Sequence, residues 1–380
     1  MKNPIYLDYN ATTPIDKEVA DEMIVIIQNH FGNPSSSYDM GRYSKNAIEQ
    51  ARNQVANLIN AKPDEIIFTS CATESNNLAI QGIAFANQTK GKHIITSAIE
   101  HPAIIEVCKY LESQGFKVSY LPVDTNGRID PKDVEKAIRP DTILITIMHA
   151  NNEVGTIQPI SEIATIAKRK NILFHTDAAQ SVGKIDTDVD KLGVDLLTIA
   201  GHKLYAPKGI GALYVKQGIK IQKIMYGAGQ EKGIRPGTEN LVHIVALGKA
   251  CEIAQRDFDK NVIRMLSAKE RLWSGLQNVF GEKIKVNGDP VHCLPNTLSI
   301  AFDNVEAHTL ASIISNDLNF STGSACHANS VESSPVLKAM NIDLNTAAGT
   351  VRISTGKLTT LNEIDTAIEI ISNTVTKLIQ

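Results

Sequence analysis

No stretch of this 380-residue chain reaches the ~18 uninterrupted apolar residues that a membrane span requires. Neither sign of charge is in surplus. The 38 basic and 41 acidic residues leave a net charge of −3, which makes no case for binding nucleic acid or a membrane surface. Cysteine is sparse and unpatterned: Cys71, Cys108, Cys251, Cys293 and Cys326 are scattered, odd in number and without a CxxC pair. That argues against a disulfide framework or a zinc site and suits a reducing compartment, so no metal is expected. The N-terminus carries one cation and no long apolar core, a poor export signal, so the expected location is the cytoplasm. Internal repeats, low-complexity tracts and disordered linkers are also lacking.

What is present is ordinary in bulk and specific in detail. The chain is long enough for two domains, and 43% hydrophobic with 21% charged residues fits a globular protein. Short apolar, β-rich runs alternate with helical patterns. They include Glu65–Thr69, 93–97, Thr142–Met148, Ile172–Thr176, Asp195–Ile199 and Ile210–Val215, with helices opening near Thr73 and Pro102 and another over Ser161–Lys170. Continuous runs separated by helices predict an α/β domain with a largely parallel sheet buried on both faces. Ligands collect at the carboxyl ends of such strands. After about residue 240 the pattern becomes a long helical stretch from Val242 to Val279, then short strands and helices. This predicts a smaller α+β domain beyond a boundary near 260.

The chemistry-bearing residues fall at the predicted strand ends. Asp177 follows the apolar run Ile172–Thr176, where an unpaired carboxylate is costly. Lys203 stands 26 residues later, after Thr198-Ile199-Ala200-Gly201-His202. A buried acid and a desolvated lysine are what pyridoxal 5'-phosphate needs: one keeps the pyridine nitrogen protonated, the other forms a Schiff base with the aldehyde. Gln180 can donate to the ring oxygen. Ser70-Cys71-Ala72-Thr73-Glu74 reads as a turn into a helix start, an anion site to which Thr73 adds a hydroxyl. By itself the same pattern is an ordinary helix cap. His101 can stack on a flat ring, though a lone histidine before Pro102 is more often a cap. Asn151 and Asn152 end a strand and are equally plain turn formers. Arg352 offers a planar fork for a carboxylate, against the bland reading of a surface ion pair. Cys326 lies among Ser, Thr, Gly and Ala in a stretch that reads as a loop, where an exposed thiol would sit; a free thiol's pKa of about 8.5 leaves a few per cent ionised at neutral pH.

Together these runs resemble the cysteine desulfurases of the NifS/IscS type and the related selenocysteine lyases, in the class V aminotransferase superfamily. The resemblance runs from Ile5-Tyr6-Leu7-Asp8-Tyr9-Asn10-Ala11-Thr12-Thr13-Pro14 almost to the C-terminus. It passes through Gly32-Asn33-Pro34-Ser35-Ser36, the CATESNN run, Glu100-His101, Asn151-Asn152-Glu153, His175–Gln180, Gly201-His202-Lys203, Arg235-Pro236-Gly237-Thr238 and the Cys326 segment. It implies a fold type I pyridoxal-phosphate transferase, a large domain over 15–260 and a small domain built from 1–14 with 261–380. Lys203 would form the Schiff base, Asp177 hold the pyridine nitrogen, Gln180 the ring oxygen, and His101 stack on the ring. Ala72, Thr73, Ala200, Gly201 and His202 fall at cofactor positions, with Thr238 reaching in from the second subunit of a homodimer. Asn10, Asn152 and Arg352 fall at substrate positions, and Cys326 at the persulfide-forming position.

Three departures stand out. Cys71 occupies a place usually taken by glycine. Ala200 replaces a phosphate-binding serine, a loss worth about 1 kcal/mol if unreplaced. Cys326-His327 with Ser334-Pro335-Val336-Leu337 leans toward selenocysteine lyases, whereas the interval from Cys326 to Arg352 has the desulfurase length. The implied reaction converts L-cysteine to L-alanine, placing sulfur on Cys326 for an acceptor protein such as an iron–sulfur scaffold. Rival readings are a lyase acting on L-selenocysteine, an aminotransferase or epimerase that would not need Cys326, and a non-catalytic partner-binding relative without Schiff-base colour.

Overall fold

The computed structural model describes residues 4–327 and 330–379, with backbone alone over 324–327 and 330–333. In chain order its strands are β1 (Ile5–Tyr6), β2 (Ile66–Thr69), β3 (His93–Ser97), β4 (Lys117–Leu121), β5 (Thr142–Thr146), β6 (Leu173–Asp177), β7 (Leu196–Ala200), β8 (Gly211–Val215), β9 (Ile284–Asn287), β10 (Thr297–Phe302), β11 (Leu318–Asn319), β12 (Ser321–Thr322), β13 (Ser324–His327), β14 (Ser330–Ser333) and β15 (Thr350–Ser354). The apolar runs of the first half form one seven-stranded sheet in the order β2-β8-β7-β6-β5-β3-β4. All its pairings are parallel except those of β8, which runs against both β7 and β2.

Strands β2, β3, β5, β7 and β8 are buried along their whole length, which is why their sequences are continuous rather than alternating. Successive side chains point to opposite faces. Thus Ile66 and Phe68 join a core with Ile48, Val55, Ile163 and Ile244. Ile67 joins another with Leu78, Ile83, Ile104 and Val107, from the helices Ala72–Asn87 and Pro102–Ser113. Because β2, β3, β5, β6 and β7 run the same way, their carboxyl ends gather at one edge, which positions the site.

A second, four-stranded antiparallel sheet has the order β12-β15-β10-β9. Its apolar cluster combines Leu298, Ile300, Val351 and Ile353 with Leu272 and Ile371, and takes in Leu7 from the N-terminal end. That end is tied down by β1 pairing in parallel with β11 and by the Leu7 amide donating to Asn319 O at 2.9 Å.

The structure differs from the sequence reading in two places. The long helical stretch is two helices, Leu241–Arg256 and Phe258–Phe280, parted at Asp257 with φ −105° and ψ 17°; a short acidic side chain is a poor continuer of a helix. The Cys326 stretch, read as a loop, is a two-stranded antiparallel ribbon in its backbone, with Cys326 opposite Val331. Such pairing depends on a partner strand that no local pattern displays.

The glycine-rich segment after residue 226 is anchored by a buried ion pair. Arg52 donates to both carboxylate oxygens of Glu231 at 2.7 and 2.8 Å, and Glu231 also accepts from the Phe68 amide at 2.8 Å. Glu231 and Lys232 both sit at positive φ, 44° and 60°, a conformation that non-glycine residues hold only when fixed from outside. Removing one partner leaves the other charge buried and alone. Glu231→Ala should therefore lower unfolding free energy by about 3–5 kcal/mol. The double change Arg52→Met with Glu231→Leu should cost clearly less, as read from urea unfolding of the three proteins.

Candidate active site

A cavity of about 380 Å3 opens at the carboxyl edge of the large sheet. Asp177, the last residue of β6, and Lys203, in the tight turn Gly201–Lys203 after β7, both line it. Asp177 accepts hydrogen bonds from Asn76 Nδ2 at 2.7 Å and from the Ala179 amide at 2.9 Å. Lys203 Nζ donates to the main-chain oxygens of Asn10 and Ala11, the latter at 2.8 Å. Desolvation, then the Arg352 charge, hold the Lys203 amine down to about 8, while Asp8 and Asp177 pull it back up. A lysine so placed is partly an unprotonated amine at neutral pH.

On one wall, Cys71, Ala72 and Thr73 begin the helix Ala72–Asn87. Its N-cap, Cys71, makes no side-chain capping bond, so the first-turn amides and the dipole end face the cavity as an anion site. Gly211 in β8 makes room for this turn: a Cβ there would lie 2.8 Å from the Cys71 carbonyl carbon. Cys71 itself has fully extended backbone, φ −174° and ψ 170°, so a side chain in place of glycine brings no strain. Ala200 and His202 complete this side of the cavity. Gly201 supports from behind, with Ile210 Cγ2 2.7 Å from where its Cβ would be.

His101 is both a cap and a cavity residue. Its Nδ1 accepts from the Ala103 amide at 3.1 Å at the start of Pro102–Ser113, and its ring borders the cavity. That bond makes Nδ1 the acceptor nitrogen. Desolvation lowers its pKa, with Asp177 opposing and Lys203 acting the same way as burial, which favours the neutral ring.

The two asparagines of the β5–β6 connection separate in role. Asn151 is a turn former: its Oδ1 accepts from the amides of Glu153 and Val154 at 2.8 and 3.0 Å. Asn152 lines the cavity with Arg352. The Arg352 guanidinium is held by Asp8 Oδ1 at 2.8 Å, Ser321 Oγ at 2.6 Å and Asn152 O at 3.2 Å, while its buried Nε has no partner among the described residues. Asn10 reaches the cavity beside them. Its Nδ2 donates to Thr297 Oγ1 at 2.8 Å and to Asn152 O at 3.1 Å.

Thr238 is exposed and does not line this cavity, and the Cys326 side chain lies outside the described residues. Of the other thiols, burial pushes Cys108 up to about 12 and raises Cys251 and Cys293 as well, which makes them poor thiolates.

Sequence reasoning gave no role to four residues that build this site. Asn76 orients Asp177, and its own Oδ1 is buried without a partner among the described residues. Asp8 fixes Arg352. Lys184 is buried and bonded to Gln180. Glu100 accepts from Ser97 Oγ and the Met148 amide at 2.7 and 2.8 Å and so ties the His101 turn to the end of β5. All but Lys184 lie within runs already singled out, but nothing in the runs assigned them work.

The donor set fits pyridoxal 5'-phosphate: an amine held near 8, a hydrogen-bonded carboxylate, an uncapped helix start and an imidazole of lowered basicity on one lining. Fold and lining together define an α/β enzyme of the pyridoxal-phosphate-dependent kind. The chain belongs to the family described as Aminotransferase class-V, which matches residues 5–366. It is 47% identical over 379 residues to a protein named cysteine desulfurase IscS from Dictyoglomus turgidum, covering 100% of this chain and 96% of the relative. A solved NifS-like protein superposes with a TM-score of 0.92 at 39% identity, covering 98% and 100% of the two chains. A structure named SspA in complex with cysteine superposes at 0.83 with 40% identity, covering 93% and 99%.

Burial raises the Glu100 acid to about 8 from an ordinary 4.5, against the pull of its two donors and with help from Asp177. Between those values the folded chain keeps a proton that the unfolded chain has released, so this group's stabilisation falls as pH rises through the window. Glu100→Gln keeps both acceptor bonds and removes the ionisation. Urea unfolding at pH 5 and pH 8 should show wild type losing stability relative to the variant at the higher pH.

Proposed function

We propose that this chain is a cysteine desulfurase that converts L-cysteine to L-alanine and takes the sulfur on Cys326 as a persulfide. The single observation carrying this reading is that Lys203 and Asp177 share one cavity whose far wall is the uncapped start of the helix Ala72–Asn87. Ala72, Thr73 and His202 would hold the phosphate, with Ala200 and Gly201 shaping its floor, and Thr238 would arrive from the second subunit of a homodimer. Asp177 would keep a proton on the ring nitrogen, Gln180 would donate to the ring oxygen, and His101 would cover one face.

Pyridoxal 5'-phosphate, when bound, supplies an aldehyde for condensation with amines and a protonated ring that draws electrons from the substrate Cα. The guanidinium of Arg352 and the side chain of Asn152, which share the cavity lining, would take the substrate carboxylate, with Asn10 behind them. The Lys203 amine removes the proton at Cα and returns it. Cys326 as thiolate attacks the substrate sulfur: the carbon–sulfur bond breaks, a sulfur–sulfur bond forms, and the carbon takes up a proton to become alanine. No outside oxidant or reductant is needed. The persulfide then passes to a sulfur-acceptor protein such as an iron–sulfur scaffold.

We also infer a division into a large unit, 15–260, and a small one, 1–14 with 261–380. The apolar cluster that joins Leu7 to residues between Ala268 and Val375 supports it. A cytoplasmic location accords with the free cysteines.

The test is incubation of the purified protein with L-cysteine, measuring alanine and locating the persulfide by mass spectrometry. Wild type should form alanine with one persulfide on Cys326. Cys326→Ala should lose the persulfide and at least a hundredfold in rate, on the order of an essential nucleophile's contribution, while keeping the cofactor's yellow colour. Sulfur transfer at the wild-type rate by Cys326→Ala would sink the assignment. Much faster turnover of L-selenocysteine, with Cys326 dispensable, would favour the lyase reading.

A further inference from the structure

Behind the cavity wall lies a second buried lysine. Lys184 is 6% exposed, and among the described residues it forms no ion pair with a carboxylate. Its Nζ donates to Gln180 Oε1 at 3.1 Å and to Asn10 Oδ1 at 3.3 Å. On its other side it borders a cavity of about 20 Å3 that also touches Lys203, Tyr205 and Lys357, room for one water. An amine without a counter-ion in a dry interior is an expensive arrangement, and two side-chain oxygens are what it holds.

The geometry settles the orientation of the Gln180 amide. Oε1 is claimed by Lys184, whose amine burial lowers to about 7 and which below that pH has only hydrogens to offer. Nε2 donates at 3.0 Å to Asn10 O, the same oxygen that accepts from the cavity-lining Lys203, which sets the amide nitrogen beside the Lys203 amine. A flipped amide would set Oε1 against Asn10 O and Nε2 against the Lys184 amine, opposing like with like at both ends. Asn10 does not depend on Lys184 in this way, because its Oδ1 also accepts from Asn296 Nδ2 at 2.9 Å.

We propose that Lys184 is a positioning residue, acting through Gln180: it fixes that amide so that only N–H faces the cavity, making Gln180 an obligate donor to the cofactor's ring oxygen. This rests on the pyridoxal-phosphate reading above and adds to it the residue that sets the polarity of one contact. Lys184 touches neither cofactor nor substrate.

The test uses wild type, Lys184→Met, Lys184→Arg, Gln180→Leu and the double variant Lys184→Met with Gln180→Leu. Each is freed of cofactor and titrated with pyridoxal 5'-phosphate. Two quantities are read: the dissociation constant, and the pH midpoint of the bound cofactor's visible band. A donor to the ring oxygen favours its ionised form. Lys184→Met should therefore weaken binding roughly three- to tenfold and raise the midpoint by about half to one unit. Lys184→Arg, which keeps the donors, should stay near wild type. In the Gln180→Leu background, Lys184→Met should change neither quantity further.

If the Met variant does not fold, Lys184→Gln takes its place, since its amide no longer enforces one orientation, and the same shifts in reduced size are expected. A folded Lys184→Met or Lys184→Gln with unchanged midpoint and affinity overturns the proposal, as does a full effect persisting in the Gln180→Leu background. Wild type that binds no cofactor would instead strike down the functional reading.

Discussion

One main-chain oxygen, that of Asn10, accepts from both Lys203 and Gln180, and the rest of the site is arranged around that shared acceptor. Amines and amides brought into a dry interior must find partners or be expelled. Asn10 provides them from a segment that belongs to the other end of the chain. Its carbonyl accepts from the Lys203 amine, its Oδ1 receives Lys184 and Asn296, and its Nδ2 reaches Thr297 and Asn152 O. The second sheet is thus joined to the first through hydrogen bonds that meet at the site. Leu7, three residues earlier, is fully buried in the second cluster, so the position of Asn10 is fixed by packing.

Charge is handled in the same economical way. Asp177 is satisfied by one amide side chain and one main-chain N–H rather than by a cation, which leaves it available to a positively charged ring nitrogen. Among the described residues Arg352 spends three of its five N–H donors on Asp8, Ser321 and Asn152 O, which orients it and leaves two over. Among the described residues Lys203 bonds only to carbonyl oxygens, which neither neutralise it nor compete for its lone pair once it is unprotonated. Each group is held firmly by neighbours that leave one function open, which is the form preorganisation takes here.

Much of this was legible in the residues. Buried strands announce themselves by continuous apolar runs, and the polar residues that end them, Asp177 and Lys203 above all, were conspicuous because charge at such places is costly. The helix start at Ala72 and the cap at His101 follow from local patterns. What stayed hidden shares a cause: Lys184, Asp8, Asn76 and Glu100 draw their meaning from partners distant in sequence. Asp8 meets Arg352 across 344 positions, and Asn76 meets Asp177 across 101. The break at Asp257 and the ribbon of β13 and β14 escaped for a related reason, since one residue's preference or one strand's composition does not decide pairing.

The contact between Gly211 and the Cys71–Ala72 turn bears on which positions can drift. Residue 71 is extended and lines the cavity, so the side chain there is free to vary. The residue on the adjacent strand is not free, because even a methyl at 211 would push the turn outward and spoil the ring of amides it presents. Mutational tolerance around that anion site is therefore set from one strand away, and a survey of substitutions should find its most forbidding position where no ligand is touched.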